Sequence, residues 1–374
     1  MTGASSVFWR AGDEPGRRQF ATLTGGDGFA LEGGGRLGPV TVAYETWGSL
    51  NASQSNAVLV LHALTGDSHA TGEAGPGHLT PGWWEGIIGP GLAIDTDKFF
   101  AVCPNVLGGC QGTTGPSSTA PDGRPFGSRF PLITIRDQVN VEVALSDHLG
   151  IATWAGVVGG SMGGMRALEW VVGHPSRVDR AVVIAVGAAG TADQIALCSL
   201  QVRAIRADPF FLGGDYYEGT HGPRDGLSIA RGIGQFSYRT WTEFESRFGR
   251  DAQDDDAVLE RGRYAIESYL SHQGDKLAAR FDPNSYIVLS EAMNHHDVGR
   301  GRGGVVAALK GVRSNVTIAG ITTDRLYPRE LQEELARLIP RAGPMTAIPS
   351  PAGHDGFLLE TEHVGAIIRT ALEH

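Results

Sequence analysis

Residues 154–172 read WAGVVGGSMGGMRALEWVV. The apolar run from Trp154 to Val158 predicts a buried strand, and the helix-forming run from Met165 to Val172 predicts a helix. Between them stands Gly159-Gly160-Ser161-Met162-Gly163, a Gly-x-Ser-x-Gly turn joining strand to helix. In such a turn the serine backbone is strained and helix and strand close on one another, so side chains at the flanking glycines would clash. The product is a hydroxyl held at the carboxyl edge of a sheet with a helix N-terminus beneath it, a place to build and discharge an acyl ester.

Outward from the turn, buried-strand patterns recur. Val40–Thr46, Ala57–Leu61, Phe99–Val102, Ala181–Val186, Val316–Ile321 and Met345–Ile348 read as strands. Thr134 with Asp137 three residues on predicts a capped helix, Pro328 opens another, and a helix over about 363–372 ends the sequence. Alternating strands and helices predict an α/β fold with a mostly parallel central sheet. From about Gly190 to Gly311 the β-branched runs give way to helical stretches (Gln194–Ala207, Trp241–Phe248, Ala257–Leu270). The expected organisation is a core over 1–189, a helical lid insertion over 190–311, and the rest of the core over 312–374.

Bulk properties narrow the function. A 374-residue chain with 41% hydrophobic and 19% charged residues has the composition of an ordinary globular protein. A net charge of −10 argues against nucleic acid as a partner. No apolar run approaches the about 20 residues of a membrane span, and Met1–Gln19 has no apolar segment of the signal-peptide kind. Three scattered cysteines (Cys103, Cys110, Cys198) are too few for a disulfide framework or a zinc site. The expectation is a cytoplasmic protein, without membrane attachment.

A serine hydroxyl needs a base to take its proton, and the base needs an acid to orient it. Downstream of Ser161, Asp324 follows a strand and His354 lies in the loop after the last one. Ser161, Asp324, His354 is the Ser…Asp…His order of the α/β-hydrolase fold. Separately, Asp324 would serve as a helix cap and His354 as a loop histidine bonded to backbone; their joint placement favours catalysis. The oxyanion would rest on two backbone N–H groups, Met162 after the nucleophile and Leu64 in the loop after the early buried strand.

Two other motifs carry less. Gly299-Arg300-Gly301-Arg302-Gly303-Gly304 fits G-x-G-x-x-G, but no strand leads into it and Val305–Lys310 is short, so it reads as a loop closing the insertion onto the core. His295-His296-Asp297 offers metal-ligand types, yet adjacent histidines point different ways. No bound metal or cofactor is expected.

These residues resemble the homoserine O-acyltransferases of the α/β-hydrolase superfamily. The likeness rests on residues 61–69 (LHALTGDSH), 105–116 (NVLGGCQGTTGP), 159–164 (GGSMGG) and the pair His354-Asp355. It implies a triad of Ser161, Asp324 and His354, with Arg231 and Asp355 holding the amino-acid substrate and Tyr238 close by. It further implies L-homoserine and acetyl-CoA as substrates, a ping-pong acyl-serine route serving methionine biosynthesis, and a homodimer joined through lid helices. Homoserine is a zwitterion, so a cation for its carboxylate and an anion for its ammonium suit it. The loop at 109–115 favours acetyl over succinyl; serine as acceptor, and water as acceptor in a thioesterase or esterase, are the competing readings.

Overall fold

The computed structural model describes residues 8–219, 221–255 and 257–373; the start of the Met1–Gln19 stretch lies outside them. Eight strands form one sheet: β1 (Gln19–Leu23), β2 (Val40–Trp47), β3 (Ala57–Leu61), β4 (Phe100–Pro104), β5 (Gly156–Gly160), β6 (Arg180–Ile184), β7 (Asn315–Ile321) and β8 (Thr346–Ile348). Their order is β1-β2-β4-β3-β5-β6-β7-β8. β2 runs antiparallel to both neighbours, and every pair from β4 to β8 is parallel. All five residues of β3 and of β5 are buried, as a central strand covered on both faces requires.

Because these strands are parallel, β3, β5, β7 and β8 all end at one edge. The chain leaves that edge at His62, Ser161, Thr322 and Pro349, so loops far apart in sequence meet there. α1 (Ile135–His148) starts with a full capping box of Thr134 and Asp137. α2 (Met162–Gly173) follows β5 directly and buries nearly its whole length.

Helices α3 (Ala192–Ala207), α4 (Arg224–Tyr238), α5 (Trp241–Arg247), α6 (Ala265–Ala278) and α7 (Pro283–Asn294) lie in sequence between β6 and β7. α4 packs between α3 and α6, and α3 also meets α7. The segment rejoins the core through 299–304, where Gly301, Gly303 and Gly304 take positive φ. Arg300 pairs there with Glu32, and Arg302 with Glu169 of α2. The glycine-rich motif is therefore a turn pinned by two ion pairs. α8 (Val305–Lys310), α9 (Arg329–Leu338), α10 (Gly356–Leu359) and α11 (Thr361–Glu373) complete the described helices.

Some boundaries differ from expectation. The helix expected over 257–270 begins at Ala265, because the chain first makes a short 3-10 turn and Arg261 is left-handed at φ 68°. β5 starts at Gly156 and runs through Gly160, two residues later than the apolar run suggests. Ladder bonds to β3 and β6 hold the glycines extended up to the serine. β6 stops at Ile184 because Ala185 turns to φ 52°.

Candidate active site

Ser161 takes φ 56° and ψ −126°, and its N–H is tied to the Ile184 carbonyl at 3.0 Å. A Cβ on Gly159 would sit 2.3 Å from the Gly163 carbonyl oxygen, and one on Gly163 2.0 Å from that of Leu61. The glycines thus permit contact between β3, β5 and the first turn of α2, and that contact holds Ser161 in its left-handed conformation.

The structure brings Ser161, His354 and Asp324 together. His354 Nε2 lies 2.8 Å from Ser161 Oγ, and His354 Nδ1 2.7 Å from Asp324 Oδ2. All three are buried. The second Asp324 oxygen accepts the N–H groups of Leu326 (2.8 Å) and Tyr327 (2.9 Å), so the acid also shapes the turn before α9. Burial disfavours the His354 imidazolium, but the Asp324 carboxylate, with Asp355 beyond it, outweighs that and raises its pKa above the ordinary imidazole value. Tyr327 stacks on the His354 ring at 5.0 Å and Phe357 meets it edge-on at 5.6 Å.

Met162 begins α2, so its N–H is among the first-turn donors that lack an intrahelical acceptor. Leu64 lines the same pocket as Ser161. Its loop is fixed by contacts the sequence reading overlooked. Fully buried Arg166 of α2 donates to the His62 carbonyl and to Glu142 of α1, both at 2.6 Å, and Glu142 also accepts from Trp170 at 2.8 Å. His62 Nε2 accepts the Val106 N–H at 3.0 Å, which assigns the proton to Nδ1, 2.8 Å from the Ala63 carbonyl. Burial, then the Arg166 charge, keeps His62 neutral by pushing its pKa well down. The signal was present in the sequence: an arginine inside the apolar helix 162–173.

Glu45, His69 and His78 cluster beneath this loop with ligand-type atoms within 4.8 Å of one another. The two rings stack at 3.8 Å and 12°, so their in-plane lone pairs cannot converge on one ion. His69 Nδ1 lies 3.0 Å from Glu45, and His78 Nε2 accepts the Arg17 N–H at 3.0 Å. The cluster reads as a hydrogen-bonded knot under the loop. His295, His296 and Asp297 do not converge either: His296 Nε2 bonds the Gly187 carbonyl at 3.1 Å and Asp297 accepts the Gly299 N–H at 2.8 Å.

Arg231, Tyr238 and Asp355 border the same region. The Arg231 guanidinium lies 5.4 Å from the Tyr238 ring centroid and makes no ion pair among the described residues. Tyr238 lines the Ser161 pocket, and its ring is 5.8 Å from that of His354. Asp355 is paired within the protein: Arg239 Nε lies 2.9 Å from its Oδ2. Thr240 donates to the Pro351 carbonyl at 2.6 Å, tying the end of α4 to the His354 loop.

An elbow serine, a histidine and an aspartate on loops at the carboxyl edge of such a sheet define an enzyme of the α/β-hydrolase class. The model of the alpha/beta hydrolase fold matches residues 56–361. A homoserine O-acetyltransferase from Thermobifida fusca (strain YX) is 58% identical over 365 residues, covering 97% of this chain and 96% of that protein. One from Mycobacterium tuberculosis (strain ATCC 25177 / H37Ra) is 56% identical over 342 residues, covering 91% and 90%. Among solved structures, the homoserine O-acetyltransferase from Bacillus anthracis superposes with a TM-score of 0.86 at 26% identity, over 96% of this chain and 97% of that one. Esterase E22 gives 0.86 at 27%, over 95% and 99%. The chain belongs to the homoserine O-acetyltransferase family of α/β-hydrolase-fold enzymes.

Proposed function

We propose that this enzyme transfers the acetyl group of acetyl-CoA to the hydroxyl of L-homoserine, a step of methionine biosynthesis, through an acetyl ester on Ser161. The observation that carries the chemistry is the unbroken hydrogen-bonded chain from Ser161 through His354 to Asp324. The names of the relatives at 56–58% identity supply the acyl group and acceptor.

In this mechanism His354 takes the Ser161 proton as Oγ attacks the thioester carbon. The Leu64 and Met162 amides receive the negative charge on the carbonyl oxygen, the C–S bond breaks, and CoA leaves with the proton held by His354. His354 then takes the homoserine hydroxyl proton, the alkoxide attacks the acetyl carbon, and Ser161 is released with that proton restored. Arg231 holds the acceptor carboxylate and the free oxygen of Asp355 its ammonium, with Tyr238 alongside. The helices between β6 and β7 act as a lid that places the acceptor and excludes water, the condition for transfer to beat hydrolysis. No bound cofactor enters the scheme.

Hydrolysis of acetyl esters is the second reading, favoured by the likeness to esterase E22. CoA release from acetyl-CoA or succinyl-CoA, each with homoserine, serine or no acceptor, separates the readings. Release that requires homoserine and acetyl-CoA is the expected result, and equal release without acceptor would establish the hydrolase. A cytoplasmic setting is supported by three buried free cysteines, and no described helix is long and apolar enough to cross a membrane. A homodimer through the lid is supported by exposed Leu200, Ile229, Phe236 and Trp241 on or beside its helices.

A further inference from the structure

Gln201 of α3 is 2% exposed, and its carboxamide Nε2 has no hydrogen-bond partner among the described residues. It lines the pocket into which Ser161 opens. Gln194, two turns earlier on α3 and lining the same pocket, is fully engaged: its amide reaches the Leu326 carbonyl at 2.7 Å and its own carbonyl accepts the Thr191 N–H at 3.0 Å. Burying an amide donor without a partner is unfavourable, and such groups are uncommon in folded proteins.

The surroundings indicate what would satisfy it. A Cβ on Gly234 would stand 2.9 Å from Gln201 Nε2 and 3.1 Å from the Tyr238 hydroxyl, so both groups flank one point on α4. Arg231 lies one helical turn before that point, with its guanidinium over the Tyr238 ring. The Tyr286 hydroxyl of α7, close to that of Tyr238, is buried and has no hydrogen-bond partner among the described residues. Amide N–H, phenol O–H and guanidinium can all donate, and the two oxygens of a carboxylate can serve several such donors at once. The developing oxyanion already has the Leu64 and Met162 amides.

We propose that Gln201 is a specificity-determining residue of the acceptor site, its amide donating to the carboxylate of the amino-acid acceptor beside Arg231. This rests on the reading of an amino-acid acceptor given above. Gly234 is the corollary: a side chain there would fill the space between the amide and the hydroxyl.

The experiment compares Gln201→Leu and Gln201→Glu with the unaltered enzyme. One assay follows the p-nitrophenol burst from p-nitrophenyl acetate, which reports acylation of Ser161. The other follows CoA release with homoserine or with 3-amino-1-propanol, which is homoserine without its carboxylate. Both variants should acylate within about twofold of the unaltered enzyme. Gln201→Leu should raise the KM for homoserine about ten- to a hundredfold, and Gln201→Glu more, because it sets a carboxylate against a carboxylate. The advantage of homoserine over 3-amino-1-propanol should shrink accordingly. An unchanged KM for homoserine, or equal losses with both acceptors, would overturn the proposal. Failure of the unaltered enzyme to use homoserine at all would overturn the acceptor reading itself, and it shows before any variant is made.

Discussion

At the residue scale, the proposed mechanism requires His354 to be neutral when Ser161 attacks. Asp324 holds the ring by Nδ1 and raises its pKa, so the base is protonated and inactive at low pH. The acid limb of kcat/KM should therefore lie above the ordinary imidazole value of about 6.5, with activity lost as pH falls through it. Asp324→Asn removes the orienting charge and should lower kcat on the order of 10⁴-fold. The pH profile of that variant should move its acid limb to lower pH, and an unmoved limb would assign it to another group. Ser161→Ala should abolish acyl-enzyme formation, seen as loss of the p-nitrophenol burst. Ser161, Asp324 and His354 were each legible in the sequence because each follows a strand pattern. Arg239 was not: its ion pair with Asp355 joins the end of α4 to the last loop, and nothing local marks it.

At the scale of elements, the site is the meeting of α2 with β3 and β5. Gly163 sits where a Cβ would press on the Leu61 carbonyl, so Gly163→Ala should sharply reduce both stability and activity. Thermal melting beside the acylation assay reads the two effects. Arg166 links α2 to α1 and to the loop carrying Leu64. Arg166→Met leaves Glu142 as a buried, uncompensated carboxylate and should cost about 3–5 kcal/mol in denaturant unfolding. Replacing Arg166 and Glu142 together by apolar residues should recover much of that loss. Helix positions were readable where a cap marked them, as at Thr134. They were misread near 257–264, where a left-handed Arg261 delays α6 and the apolar spacing gives no sign of the turn.

For the whole molecule, the parallel sheet turns sequence order into spatial convergence, with loops after β3, β5, β7 and β8 at one edge. The helices between β6 and β7 contribute side chains to the pocket at that edge and attach to the core through buried groups. His296, one of these, bonds the Gly187 carbonyl, and burial lowers its pKa to about 4. The folded state thus binds its proton less readily than the unfolded chain. This contribution is complete above about pH 6.5 and is lost as pH falls toward 4, a loss on the order of 3 kcal/mol. Urea unfolding between pH 7 and 4.5 should show it, and His296→Gln should flatten the dependence. The reaction class and the strand-turn-helix that presents Ser161 were readable from residue order alone, because steric needs at glycines and the order of strand ends are local or nearly so. Which charges remain available emerged from the packed fold. Asp355 is half-claimed by Arg239, and among the described residues Arg231 has no ion-pair partner and the Gln201 amide, in the pocket that Ser161 also lines, has no hydrogen-bond partner. Such pairings depend on distances of a few ångströms between segments remote in sequence, which no local pattern encodes.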